Sequence, residues 1–316
     1  GVISLWRLAD PAQPPLVLTE NEWGDVRTLR FSPDSRWLVS GTWGGKVNLW
    51  DVAGDTPALE PRHRCDQGEP VREPAFSADG RHLATAAHGH AARLWDLTAT
   101  DPCAAPHTLP HGTVVYQAVI SPDGRWAATA GFDMMGKLWD LGAGPEPKLV
   151  SATVFKDRVL QAAFDRDSRW VAFGSWDRTL KLVDLKNPAA SAPIELSGHA
   201  GRISAIAFSP DGNWLVSASE DGTVRQWDPA APAAAPVVLR GHEARVMHAA
   251  ISPDSRWVVS AANDGTVRRW RLQLSDLIDL ACRTAGRPLT ADEARTFLGD
   301  AQAAQPCGDQ APREAS

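Results

Sequence analysis

Tyrosine occurs once in this chain, and cysteine four times in 316 residues. No Cys-x-x-Cys pair is present, and the cysteine density is far below that of a disulfide-built secreted domain. Cys65, Cys103, Cys282 and Cys307 therefore read as reduced thiols of a cytoplasmic protein, with a Cys282–Cys307 bridge as the alternative. No apolar run approaches the roughly 18 residues of a membrane-spanning helix, which predicts no membrane partner. The opening GVISLWRL has no initiator Met and no charged n-region of a signal peptide, so the chain reads as a piece of something longer. A surplus of positive charge is also missing. Lys+Arg total 32 against Asp+Glu 38, a net charge of −6, which excludes a strongly basic nucleic-acid binder by global charge.

Reactive constellations are equally scarce. There is no Gly-rich phosphate loop ending in G-K-[ST] and no H-E-x-x-H. No cysteine has an evident base and orienting partner, so a thiol enzyme is not expected. His63-x-Cys65 and His88-x-His90 are the only clusters with metal potential. Their single-residue spacing on loops makes solvent-facing side chains the simpler reading. Paired acids occur only in turns, where they cap locally. The expectation is no catalytic residue, no cofactor and no metal.

What the chain has in excess is tryptophan, with 14 residues. They mark a repeat. Six segments, starting at Phe31, Phe76, Ile120, Phe164, Phe208 and Ile251, follow one template, with starts 45, 44, 44, 44 and 43 residues apart. In the copy from Phe208, the preceding Arg202–Ala207 alternates as a half-buried strand does. Ser-Pro-Asp-Gly then forms a type I turn. Trp214–Ser219 is a second strand, Glu220-Asp221-Gly222 a tight hairpin and Thr223–Trp227 a third strand. Val237–Arg240 is a fourth, ending at Gly241-His242.

The Trp-Asp endings at 50–51, 95–96, 139–140 and 227–228, with Gly-His at 198–199 and 241–242, resemble the WD-repeat family over about residues 1–272. The resemblance implies an all-β propeller of four-stranded blades and an interaction platform, not an enzyme. It also implies a buried hydrogen-bonded set in each blade: a His before the first strand, a Ser or Thr on the second, the turn Asp and the third-strand Trp. Three repeats hold all four: His111, Thr129, Asp133, Trp139; His199, Ser217, Asp221, Trp227; and His242, Ser260, Asp264, Trp270. A His-Ser-Asp group could be a catalytic triad, but one that recurs three times with a Trp suits architecture. Gly44 and Gly89 replace the turn Asp, and Val183 replaces the Trp, so those blades are expected to be less stiff.

Gly1–Leu8 aligns with the third strand at 265–272, and Pro15–Thr19 reads as a fourth. This predicts a seven-bladed ring whose first blade lacks its inner half, the upstream segment having been cut away. The alternative is a closed six-bladed ring in which Pro15–Thr19 completes the Ile251 blade. Expected blades are 1–19 (partial), 23–63, 69–109, 112–151, 156–197, 201–240 and 244–272. Residues 273–300 read as a helical hairpin cap, with a capping box at Thr290–Glu293, and 301–316 as a disordered tail. The hairpin resembles the end of bacterial WD-repeat proteins, in which the propeller follows a STAND-type nucleotide-triphosphatase or a Ser/Thr kinase.

The resemblance also places three positions per blade on a binding rim. They are Asp25, Arg27, Trp43; Pro70, Arg72, His88; Val114, Tyr116, Phe132; Arg158, Leu160, Trp176; Arg202, Ser204, Glu220; and Arg245, Met247, Asn263. Arg and aromatic residues dominate binding hot spots, and they are concentrated here. The expected partner is a protein with an acidic surface, held by a patch around Trp43, His88, Phe132 and Trp176 ringed by Arg27, Arg72 and Arg158. Upstream domains of the same polypeptide are the other expected partner. A nucleic-acid platform is the distant alternative, because the rim lacks a dense basic field.

Overall fold

Each repeat opens with a turn that its own side chains build. Ser32 Oγ donates to Asp34 (2.5 Å) and accepts from the Trp37 backbone N–H (2.8 Å), while Asp34 accepts from Arg36 N–H (3.1 Å). Ser77/Asp79, Ser121/Asp123, Ser209/Asp211 and Ser252/Asp254 repeat this Ser-x-Asp bond. At Asp165 an aspartate replaces the serine and takes the N–H groups of Arg169 and Trp170 itself. Burial pushes its carboxyl above the usual range. The turns set the spacing, and the alternating segments between them become strands.

The computed structural model describes residues 2–7, 12–19, 25–54 and 59–272. They form seven antiparallel sheets. The first holds β1 (Val2–Leu5) and β2 (Leu16–Thr19). The second holds β3 (Val26–Phe31), β4 (Trp37–Thr42), β5 (Lys46–Asp51) and β6 (His63–Asp66). The third runs β7 (Val71–Phe76), β8 (His82–Ala87), β9 (Ala91–Asp96) and β10 (His107–Pro110). The fourth runs β11 (Val115–Ile120), β12 (Trp126–Gly131), β13 (Met135–Asp140) and β14 (Lys148–Val154). The fifth runs β15 (Val159–Phe164), β16 (Trp170–Ser175), β17 (Leu180–Asp184) and β18 (Ile194–Leu196). The sixth runs β19 (Ile203–Phe208), β20 (Leu215–Ser219), β21 (Thr223–Trp227) and β22 (Val237–Arg240). The seventh holds β23 (Val246–Ile251), β24 (Trp257–Ala262) and β25 (Val267–Arg271).

Strands neighbour one another in chain order within every sheet. The core lies between sheets, not within one. Ile3 and Leu18 of the first sheet pack on Leu38 and Trp50 of the second. Val39, Val47 and Leu49 then pack on Leu83 and Trp95 of the third, and each later boundary repeats the arrangement as far as the seventh sheet. This is the blade stacking of a propeller.

Two expectations meet the structure here. β2 pairs with β1 and not with the Ile251 repeat, so the two strands form a sheet of their own and the six-bladed alternative fails. The reading of Cys65 and Cys103 as reduced thiols also fails, because the two are joined in a disulfide. Cys65 lies on β6 at the outer edge of one sheet. Cys103 lies in the loop before β10, the outer strand of the next. Stacking brings their Cα atoms to 4.9 Å across 38 residues of chain, within disulfide reach. Cys282, Cys307, the hairpin cap at 273–300 and the tail at 301–316 lie outside the described residues.

Candidate partner-binding rim

The four-residue sets form directed relays. Trp139 Nε1–H donates to Thr129 Oγ1 (2.8 Å), the Thr129 hydroxyl donates to His111 Nε2 (2.7 Å), and His111 Nδ1–H donates to Asp133 (2.9 Å). An indole N–H can only donate, so the direction of the chain fixes the histidine tautomer. Trp227, Ser217, His199 and Asp221 repeat it at 2.8 Å for every step, and Trp270, Ser260, His242 and Asp264 at 2.8, 2.7 and 2.9 Å. Burial is the largest influence on His111 and His199. It outweighs the bonds to aspartate and holds both imidazoles below the ordinary 6.5. Burial raises the Asp133 and Asp221 carboxyls, but the histidine bonds and further donors hold both below 3.8.

Two of the sheets that lack the set carry replacements the sequence reading missed. In the third sheet Gln67 stands 18 residues before Thr85, the spacing of His111 to Thr129. Its Oε1 accepts from the Thr85 hydroxyl (2.6 Å), which accepts from Trp95 Nε1–H (2.9 Å). In the fifth sheet Phe155, Phe173 and Val183 take the His, Ser/Thr and Trp places and pack in one buried cluster. A relay that is wholly polar or wholly apolar leaves no buried group unpaired. The structure therefore shows a polar substitute for the relay in the third sheet and an apolar one in the fifth.

The rim is positioned by two backbone devices. The residue before each turn Asp, or its equivalent, donates its N–H to a carbonyl at the start of the innermost strand. The pairs are Trp43–Asp25, His88–Pro70, Phe132–Val114, Trp176–Arg158, Glu220–Arg202 and Asn263–Arg245, at 2.9 to 3.0 Å. In addition, each innermost strand shifts register at its second residue or just after it, at Arg27, Arg72, Tyr116, Leu160, Ser204 and Met247. A bulge re-aims the side chain it carries.

These devices bring six of the rim candidates into one stack. Arg72 lies over Tyr116 (4.1 Å), and Tyr116 stacks on Phe132 with centroids 6.4 Å apart. Arg158 sits over both Phe132 (4.4 Å) and Trp176 (5.1 Å), and Arg202 lies over Trp176 (4.1 Å). A shorter group continues the rim, with Arg27 over Trp43 (4.4 Å) and Trp43 edge-on to His88 (5.2 Å). Burial, then Arg72 and Arg27, lower the His88 pKa, so the ring stays neutral near pH 7. Arg245 instead pairs with Glu220 (3.7 Å). Among the described residues Arg27, Arg72, Arg158 and Arg202 have no carboxylate within 4.0 Å and lie over ring faces instead. A hollow beside the stack is lined by Tyr116, Leu160, Trp176, Ser204, Glu220 and Met247. Leu160 is buried in its floor, whereas Trp43 and Met247 are exposed.

The metal candidates come apart. Cys65 is held in the disulfide, His88 belongs to the aromatic group, and His90 Nδ1 bonds the Gly112 carbonyl (2.8 Å). No cluster of three ligand-type side chains occurs among the described residues.

The family model described as "WD domain, G-beta repeat" matches residues 13–51, 61–96, 105–140, 150–184, 192–228 and 236–271. The chain belongs to the WD-repeat family. A search of curated protein sequences finds no match. Among solved structures, a chain of "Crystal Structure of Mitotic Checkpoint Complex" superposes with a TM-score of 0.67 at 20% identity, covering 85% of this chain and 81% of that one. At that identity the likeness speaks for the WD-repeat fold alone.

Proposed function

We propose that this WD-repeat propeller is a non-catalytic protein-interaction module that binds an acidic partner segment across the rim. The observation that carries the reading is the stack from Arg72 to Arg202, in which guanidinium groups without carboxylate partners alternate with aromatic faces. A guanidinium stacked on a ring directs its exposed in-plane N–H groups outward for a carboxylate, and the rings supply rigid apolar area. The solved relative belongs to an assembly by its title, which agrees with an interaction role.

Within this reading, the propeller is the C-terminal sensor or scaffold part of a larger bacterial signalling protein of STAND-NTPase or kinase type. A free-standing scaffold is the second reading, and nucleotide turnover of the intact protein with and without partner separates the two. The cytoplasmic expectation rested on four reduced thiols. The Cys65–Cys103 bridge removes part of that support, since such bonds persist where thiols are not kept reduced.

The test is binding of a fluorescein-labelled Asp/Glu-rich peptide, followed by anisotropy. The double substitution Trp43→Ala, Trp176→Ala should weaken it by about tenfold or more with the melting temperature unchanged. Replacing Arg62 and Arg81, exposed arginines away from the rim, should leave it intact. Equal losses in both variants, or a collapsed melt in the first, would overturn the reading.

A further inference from the structure

The third sheet has lost more than a turn aspartate. At the same hairpin of the sixth sheet, Asp221 accepts from His199 (2.8 Å), from the Ala200 N–H (2.9 Å) and from the Thr223 hydroxyl (2.6 Å), while its own N–H donates to Ser219 Oγ (3.1 Å). Counted back from the third-strand Trp, Ala87, Gly89 and Ala91 stand where Ser219, Asp221 and Thr223 stand. A whole polar knot is thus cut back to small groups. What remains is a hollow of about 180 Å³, lined by these three residues and by Gln67, Glu69, His90 and Arg93.

Two opposite charges line this hollow without meeting. Glu69 is half-buried, and its carboxylate lies where a side chain on residue 89 would start: a Cβ added to Gly89 would sit 1.5 Å from Oε2. Gly89 does not hold a left-handed φ, so the backbone does not require glycine there; the approach of Glu69 does. The carboxylate takes the place of the missing aspartate but not its bonds. Among the described residues no hydrogen-bond donor or cationic group lies within bonding distance of it. The Gln67 amide is spent on the Thr85 hydroxyl and, through Nε2–H, on the Ala86 carbonyl (3.3 Å). Arg93 takes the place of Lys137, whose ammonium pairs with Asp133 at 3.1 Å. Arg93 has no carboxylate within 4.0 Å among the described residues, and one of its N–H groups reaches the Gln67 carbonyl at 3.5 Å. His90 donates from Nδ1 to the Gly112 carbonyl, which leaves Nε2 as an acceptor.

We propose that the hollow binds a free α-amino acid with a small side chain. Its ammonium group bonds the Glu69 carboxylate and His90 Nε2, and its carboxylate bonds the Arg93 guanidinium. The two charges carry the choice of ligand. A simple anion meets Glu69 as well as Arg93, and a simple cation meets Arg93 as well as Glu69, so each gains from one wall and loses to the other. A molecule with both charges on one carbon gains from both walls, through charge-assisted hydrogen bonds. The size of the hollow limits the ligand side chain to a few atoms. The site is separate from the rim, since Glu69, His90 and Arg93 take no part in the stack from Arg72 to Arg202.

The experiment follows the imidazole C–H signals of His90 by NMR while glycine or L-alanine is added near neutral pH, with a His90→Asn variant for assignment. Both amino acids should shift the signals to saturation, whereas acetate and methylammonium at the same concentrations should not. Glu69→Gln and Arg93→Gln should each weaken binding about tenfold or more with the melting temperature unchanged. Gly89→Ala should abolish it, since the added Cβ collides with the carboxylate that holds the ammonium group. Absence of a saturable shift with either amino acid overturns the inference. So does an equal response to acetate or to methylammonium, or full affinity in either the Glu69 or the Arg93 variant. Trp176→Ala, which breaks the stack, should leave the titration unchanged, so loss of peptide binding at the rim and loss of amino-acid binding are read separately.

Discussion

Met134 and Arg178 hold φ of 63° and 77°, the left-handed conformation that Gly222 and Gly265 adopt after the turn Asp in two other repeats. A side chain there costs roughly 1–2 kcal/mol, partly offset by the greater freedom of glycine in the unfolded chain. Met134→Gly and Arg178→Gly should therefore each stabilise the protein by about 0.5–1 kcal/mol in denaturant unfolding. The buried histidines give the molecule an acid limit. His111 and His199 are held below 6.5 when folded, so their contribution is complete above that value and is lost as pH falls through it. The depressed Asp133 and Asp221 act in the same direction at lower pH, below 3.8. Stability should thus decline from about pH 6.5 downward. The double variant His111→Gln, His199→Gln, which copies the Gln67 relay into two other sheets, should show a flatter profile between about pH 7 and 5. A profile as steep as that of the parent would remove the histidines from the explanation.

At the scale of elements, the strands were legible because the repeats share a punctuation, each keeping part of it: a turn of the Ser-Pro-Asp-Gly type before the second strand, Asp-Gly or a variant before the third, and Trp-Asp after the third in four of the six. The relays were legible where all four residues kept their types. Gln67 and Phe155 were not, because neither is a histidine, although a signal existed in the constant separation of 18 residues from Thr85 and Phe173. The disulfide was not legible. Nothing along the chain says that residues 38 apart lie on the outer edges of consecutive sheets until the sheets are stacked. The rim residues were legible by position, but their joining into one stack was not, since that depends on bulges no residue type announces. The disulfide closes a loop that the chain-entropy estimate values at about 3–4 kcal/mol. Reduction, or Cys103→Ala, should lower the melting temperature while leaving the peptide affinity of the rim within about twofold, because the bridge lies at the outer edge. An affinity that falls with reduction would mean that the bridge shapes the rim.

For the whole molecule, the aromatic rings report where a partner sits. The rim holds Trp43, Tyr116, Phe132 and Trp176, and Trp6 and Phe31 are exposed as well, so one footprint reads all six rings. The decisive experiment for rim recognition is hydroxyl-radical oxidation of the protein, with and without the acidic peptide at saturation. Tyr116, Phe132 and Trp176 should lose reactivity together, with Trp43 following if the peptide is long enough, while Trp6 and Phe31 are unchanged. Protection confined to Trp6 and Phe31, or no protection of the stack by a bound peptide, would refute recognition at the rim.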